Sequence, residues 1–148
     1  MGNCRFTAMT PKGGDYRTVS SNSSLPHWRN VERGLNFFGE CTSRNCKAGK
    51  NNSEVIMPQY VREGDTFDYV AHQNDFRCPE CNGCVIPYTV GFYLCEYKIY
   101  GEYKESKYAP FQTFRDSGFT NDKDQLYKYP QKKIVDWNIL DYTIIKYY

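Results

Sequence analysis

Two cysteine pairs, each close in sequence and far from the other, constrain this chain more than any other feature. The first is Cys41-Thr42-Ser43-Arg44-Asn45-Cys46, the second is Cys78-Pro79-Glu80-Cys81, and thirty-one residues separate them. Zinc takes four thiolates at the corners of a tetrahedron, and each tight turn can supply two of them. Pro79 presets one backbone angle of the second turn. Asn82-Gly83 follows, and either residue accepts the left-handed backbone needed to leave it. The spacing predicts a structural Zn2+ site on Cys41, Cys46, Cys78 and Cys81. The intervening residues suffice for a strand excursion that returns to the metal.

Other uses of these thiols fit less well. Seven cysteines are an odd number, and with no signal peptide in view they suit a reducing compartment better than a disulfide framework. A redox pair at Cys78 and Cys81 belongs at a helix start in a βαβ unit, and no such pattern surrounds it. A catalytic zinc keeps one coordination position open, whereas four thiolates fill the shell. Cys84 repeats the two-residue spacing after Cys81 and is the rival ligand. It opens the apolar run Cys84-Val85-Ile86 and is expected to pack. Cys95, inside Phe92-Tyr93-Leu94-Cys95-Glu96-Tyr97, reads as a strand-core thiol. His27 and His72 lack partners at ligand spacing, and Asp65, Asp68 and Asp75 read as solvated loop carboxylates.

A chain of 148 residues fits one domain. Its 19 basic and 17 acidic residues nearly balance, so nothing demands a nucleic-acid partner. No run approaches the ~18 apolar residues of a membrane span. Aromatics make up 17% of the chain and tyrosine alone counts 14, which suits half-buried strands and protein interfaces. The start, Met1-Gly2-Asn3-Cys4, makes Gly2 a candidate for N-myristoylation and Cys4 one for palmitoylation. Phe6 stands where that signal usually has Ser or Thr, with Thr7 one place late. Two acyl chains would hold the protein at a membrane stably, where one holds it marginally.

The expected organisation is a flexible arm over 1–24, ending in Ser20-Ser21-Asn22-Ser23-Ser24, and a zinc-binding β domain over 25–148. The fold class is mainly β, a small zinc-stapled antiparallel sheet of zinc-ribbon type with long loops. Strands are expected from Gly34 into the first cysteine turn, over Glu54 to Pro58, and near Gly64 to Val70. Val90 to Glu102 reads as one long strand, with Phe92, Leu94, Glu96 and Lys98 on one face and Tyr93, Cys95, Tyr97 and Ile99 on the other. A turn at Tyr100-Gly101-Glu102-Tyr103 and a returning hairpin strand follow. The charged stretch 105–133 is expected to include a long loop anchored by Phe111, Phe114 and Phe119. The closing stretch through Trp137 to Ile145 suggests a strand, with a two-turn helix over 136–140 as the rival.

The segments Gly34-Leu35-Asn36-Phe37-Phe38-Gly39-Glu40-Cys41, Val55-Ile56-Met57-Pro58, Cys78-Pro79-Glu80-Cys81 and Gly91-Phe92-Tyr93-Leu94-Cys95-Glu96-Tyr97 together resemble a little-characterised zinc-binding domain of protists and some fungi. That domain often stands beside ubiquitin-like modules. The resemblance spans roughly 28–145 and implies that both cysteine pairs bind zinc; it implies no reaction. No ubiquitin-like stretch accompanies it in this chain.

The expected function is that of a non-enzymatic, zinc-stabilised interaction or structural subunit. It would display tyrosine-rich edges, Tyr97, Tyr100 and Tyr103 among them, to protein partners in a larger assembly. The expected location is the cytoplasm or cytoskeleton, with membrane contact through N-terminal acylation. A ubiquitin-pathway adaptor is one alternative, although six cysteines after Cys4 fall short of the eight ligands of a cross-braced RING. A zinc-ribbon nucleic-acid module is the other, and the near-neutral charge weighs against it.

Overall fold

The computed structural model describes residues 9–19, 25–50, 53–131 and 133–148. Its strands are β1 (Asp15–Thr18), β2 (Gly34–Glu40), β3 (Glu54–Gln59), β4 (Thr66–Asp68), β5 (Pro87–Tyr93), β6 (Cys95–Lys104), β7 (Gln112–Thr120), β8 (Gln125–Lys128) and β9 (Asp136–Tyr147). Two one-turn helices, α1 (Lys47–Lys50) and α2 (Tyr69–His72), and a 3-10 turn at His27–Arg29 accompany them. The chain is mainly β, as the sequence suggests, but its strands form two antiparallel sheets rather than one. The first sheet runs β1-β8-β5-β2-β3 and the second β4-β9-β6-β7.

The sheets face each other across an aromatic core. Period-two alternation along β6 buries Cys95, Tyr97, Ile99 and Tyr103 on one face and leaves Lys98 in solvent. From the first sheet, Phe37 meets Tyr142 edge-on at 5.7 Å and Phe92 stacks on Tyr97 at 3.7 Å. Trp137, Leu140, Tyr142 and Ile144 of β9 complete this layer. A smaller cluster of Phe38, Ile56 and Leu126 covers the outer face of the first sheet.

The long strand expected from Val90 to Glu102 is two strands in two sheets. Leu94 has φ 48°, in the left-handed region that a non-glycine residue seldom enters, and there the chain crosses from β5 to β6. One extra residue shifts the alternation by one place, so Phe92 and Cys95 both point into the core although they would lie on opposite faces of a regular strand. The same shift occurs in β9. The register with β6 slips between Glu102 and Tyr103, so Asn138 bulges and Trp137 and Leu140 both become buried. A spacing of three between buried residues is what makes this segment look helical in sequence.

The turn expected at Tyr100-Gly101-Glu102-Tyr103 is instead the continuation of β6. The stretch expected to include a long loop, 105–133, holds β7 and β8. Of its three expected anchors, Phe114 packs on the core, while Phe111 and Phe119 are exposed. The expected flexible arm contributes ordered pieces as well: Met9 is buried with its carbonyl accepting from Trp137 Nε1 at 3.3 Å, and β1 pairs with β8. Ser20 to Ser24 lies outside the described residues.

Gly101 shows why a glycine interrupts β6. A Cβ there would lie 2.4 Å from Cζ3 of Trp137, so the indole is seated on bare backbone. Gly101→Ala must displace a fully buried Trp and is expected to cost about 1–3 kcal/mol. Urea unfolding should show a lower midpoint at unchanged slope. An unshifted midpoint would contradict this seating of Trp137.

Candidate metal centre

The first cysteine turn leaves the end of β2. Cys41 follows Glu40 directly, and the chain turns through Ser43, whose carbonyl accepts the Cys46 N–H at 3.3 Å. Cys46 then stands at the start of α1, where the N–H groups of Gly49 and Ala48 reach its sulfur. Gly49 has no room for a side chain, because a Cβ would sit 1.9 Å from the Ser43 carbonyl oxygen. The turn can therefore close tightly around Cys46.

The second turn is a compact hairpin. The Cys78 N–H donates to the Gly83 carbonyl at 2.8 Å, and the Asn82 N–H donates to the Cys78 carbonyl at 2.8 Å. Asn82 has φ 62°, the left-handed exit the sequence calls for. The Gly83 N–H donates to the Cys81 sulfur at 3.4 Å, and an isolated bridge between Arg77 and Cys84 closes the base.

These turns bring Cys41, Cys46, Cys78 and Cys81 together, with all four sulfurs within 4.8 Å of one another. Cys41 Sγ lies 3.8 Å from Cys81 Sγ, and Cys46 Sγ lies 3.8 Å from Cys78 Sγ. A disulfide would need about 2.05 Å. A tetrahedron with metal–sulfur bonds of about 2.3 Å has edges of about 3.8 Å. The four thiols thus form a group of the size and shape that holds a metal ion. Cys41, Cys46 and Cys78 are buried and Cys81 is exposed.

The electrostatics point the same way. Burial pushes the Cys41 thiol up to about 12, against the N–H of Ser43, which favours its thiolate. Burial also raises Cys78, opposed by the N–H groups of Cys81 and Glu80. At Cys46 burial acts upward too, but the N–H groups of Gly49 and Ala48, together with the neighbouring thiols, carry it below the ordinary cysteine value. Every sulfur accepts at least one backbone N–H, so the backbone is arranged for anionic sulfur. Four adjacent thiolates repel one another strongly unless a cation lies between them.

The remaining candidates lie elsewhere. Cys84 is outside the group and exposed, rather than packed in the apolar run as expected; Val85 beside it is buried. Cys95 is buried in the inter-sheet core, where desolvation pushes its thiol up to about 12. His72 Nδ1 lies 3.0 Å from the Asp68 carbonyl, and Asp68 caps α2 by accepting from the Ala71 N–H at 3.2 Å. Asp65 pairs with Arg62 at 3.3 Å. His27 has a place that its sequence context did not signal: its Nε2 lies 3.1 Å from Glu80 Oε1, so the 3-10 turn leans on the second cysteine hairpin. Gly2 and Cys4 lie outside the described residues.

Single substitutions separate ligands from bystanders. Cys46→Ser or Cys78→Ser should weaken metal retention by more than the ~10–100-fold that losing a supporting residue costs. Cys84→Ser should leave it unchanged. Competition with a chromophoric chelator measures both, and metal loss in Cys84→Ser would contradict this ligand set.

No family model, curated protein or solved structure matches the chain.

Proposed function

We propose that the chain is a non-enzymatic interaction or structural subunit whose β fold is stapled by zinc. The observation that carries this reading is the closed set of four thiols, three of them buried in the core and Cys81 at its surface. A full tetrahedron of protein sulfurs leaves no position for water or substrate, which is the arrangement of structural zinc. Soft thiolate ligands favour zinc over magnesium, calcium or manganese. The site joins the end of β2 to the segment that enters β5, two neighbouring strands of the first sheet.

The tyrosines contribute differently from the sequence expectation. Tyr97 and Tyr103 are buried, and Tyr100 is half-buried. One exposed aromatic surface is at the β6–β7 turn, where Tyr108 is 90% and Phe111 55% exposed. Lys107 Nζ lies 5.6 Å from the Tyr108 ring and Lys104 Nζ 4.5 Å from the Phe111 ring. Exposed rings topped by cations resemble the aromatic anchors of protein interfaces. A protein partner in a larger assembly fits this surface. Among the described residues no helix is long and apolar enough to cross a membrane.

Metal analysis of the purified full chain should find one zinc per polypeptide, and chelation should lower the melting temperature by at least about 10 °C. Metal binding displaces protons from thiols, so apparent affinity should fall as pH falls. A metal-free chain with an unchanged melting curve would overturn the stapling. For the interface, Tyr108→Ala with Phe111→Ala should remove the chain from its native assembly, read by sedimentation of cell extracts. The melting temperature and zinc content should stay unchanged. Retained assembly would overturn this choice of surface.

A further inference from the structure

The sandwich is open on one side. Between β1, an edge of the first sheet, and β7, an edge of the second, lies a cleft of about 490 Å³. Its aromatic wall is built by pairing: Tyr16 on β1 is the register partner of Tyr127 on β8, and their rings meet at 5.1 Å and 72°. Tyr129 continues this wall inward, 5.3 Å from Tyr127 at 82°. Tyr97 lines the cleft from β6, and its hydroxyl lies 3.2 Å from that of Tyr129. The opposite wall is β7, where Gly118 keeps the space over Tyr97 clear: a Cβ there would come 2.9 Å from the Tyr97 hydroxyl.

Among the described residues that line the cleft the one charged side chain is Asp122, which is exposed beside Asn121 and Gln125. Asp116 lies behind the aromatic wall, accepting from the Tyr129 hydroxyl at 2.6 Å and from the Ser117 N–H at 2.9 Å. Both its oxygens are engaged, so it is not a free acceptor for a ligand. Burial, with Asp116 adding to it, raises the Tyr127 and Tyr97 hydroxyls above the ordinary phenol value. Ionised phenols are therefore disfavoured there, and the tyrosines stand as neutral rings.

We propose that this cleft binds an alkylated ammonium group. Tyr16, Tyr97, Phe119 and Tyr127 line the cleft, and Tyr16 and Phe119 are more than half exposed, so aromatic surface is open to a cation there. A hard metal ion is held chiefly by carboxylates, and Asp122 is the one carboxylate among the described residues lining the cleft. A primary ammonium needs acceptors for three N–H donors, whereas a quaternary head group has none to satisfy. Its source is either a free small molecule such as choline or a trimethylated lysine side chain on a protein. The cleft lies apart from the cysteine turns, and the proposal does not depend on the reading given above.

Isothermal titration of the zinc-loaded full chain tests this with choline, a trimethyllysine peptide, and 3,3-dimethylbutanol, the neutral isostere of choline. At least one cation should bind with a dissociation constant below about 10 mM, and at least about tenfold tighter than the neutral alcohol. The tighter of the two cations identifies the source. Tyr16→Leu, at an exposed edge position, should weaken binding about tenfold, and Tyr16→Phe should stay within about twofold. Equal binding of the neutral isostere, no binding of either cation, or indifference to Tyr16→Leu would overturn the proposal.

Discussion

Four sulfurs within 4.8 Å of one another cannot all be anionic unless a cation sits among them. Yet the backbone around them is arranged for anions, with N–H groups from Ser43, Gly49, Ala48, Glu80, Cys81 and Gly83 directed at sulfur. That combination makes sense when a metal supplies the missing positive charge. It also explains the long excursion between the two turns. The segment from β3 through α2 leaves the first sheet, lends β4 to the edge of the second, and must return to enter β5 beside β2. A metal at the point of return would fix where that path re-enters the first sheet, while the ladder of β4 with β9 holds its outer part.

The aromatic core takes up much of the tyrosine that the composition makes conspicuous. Tyr69, Tyr97, Tyr103, Tyr129 and Tyr142 are buried, and the hydroxyls of Tyr97 and Tyr129 are satisfied in a chain that ends on Asp116. Tyrosine fills the space between sheets with a large, flat ring and still needs a partner for its polar end. The consequence is a sandwich whose interior carries one buried polar line, running toward the side where β1 and β7 leave the sheets open.

How much of this could be read from the sequence depends on whether the deciding signal was local. The cysteine turns were legible because spacing within a turn, Pro79 and the left-handed Asn82 act over a few residues. β2, β3 and the closing strand were legible from apolar, β-branched runs. The sheet change at Leu94 was not, because one residue in a left-handed conformation leaves no mark on hydrophobic content and only offsets the alternation. The bulge at Asn138 is what kept a helix in view as the rival to the closing strand, by giving part of it the spacing of a helix. β7 fell within the stretch expected to include a loop because its outward face carries Arg115 and Ser117 while its inward face includes Asp116 and Gly118. Its pairing with β6 is set by the hairpin and not by apolar pattern. The cleft between β1 and β7 was invisible for a related reason: Tyr16 meets Tyr127 only through strand pairing across more than a hundred residues, and Tyr97 joins them from the opposite sheet.

The immediate surroundings of the four sulfurs decide whether a metal staples the two turns. X-ray absorption at the zinc edge, measured on the full chain purified without added metal, reads them without reference to any partner or activity. Four sulfur neighbours at about 2.3 Å and no lighter ligand are the predicted result. A shell containing oxygen or nitrogen, or a chain that carries no zinc and holds these cysteines as disulfides, would contradict it.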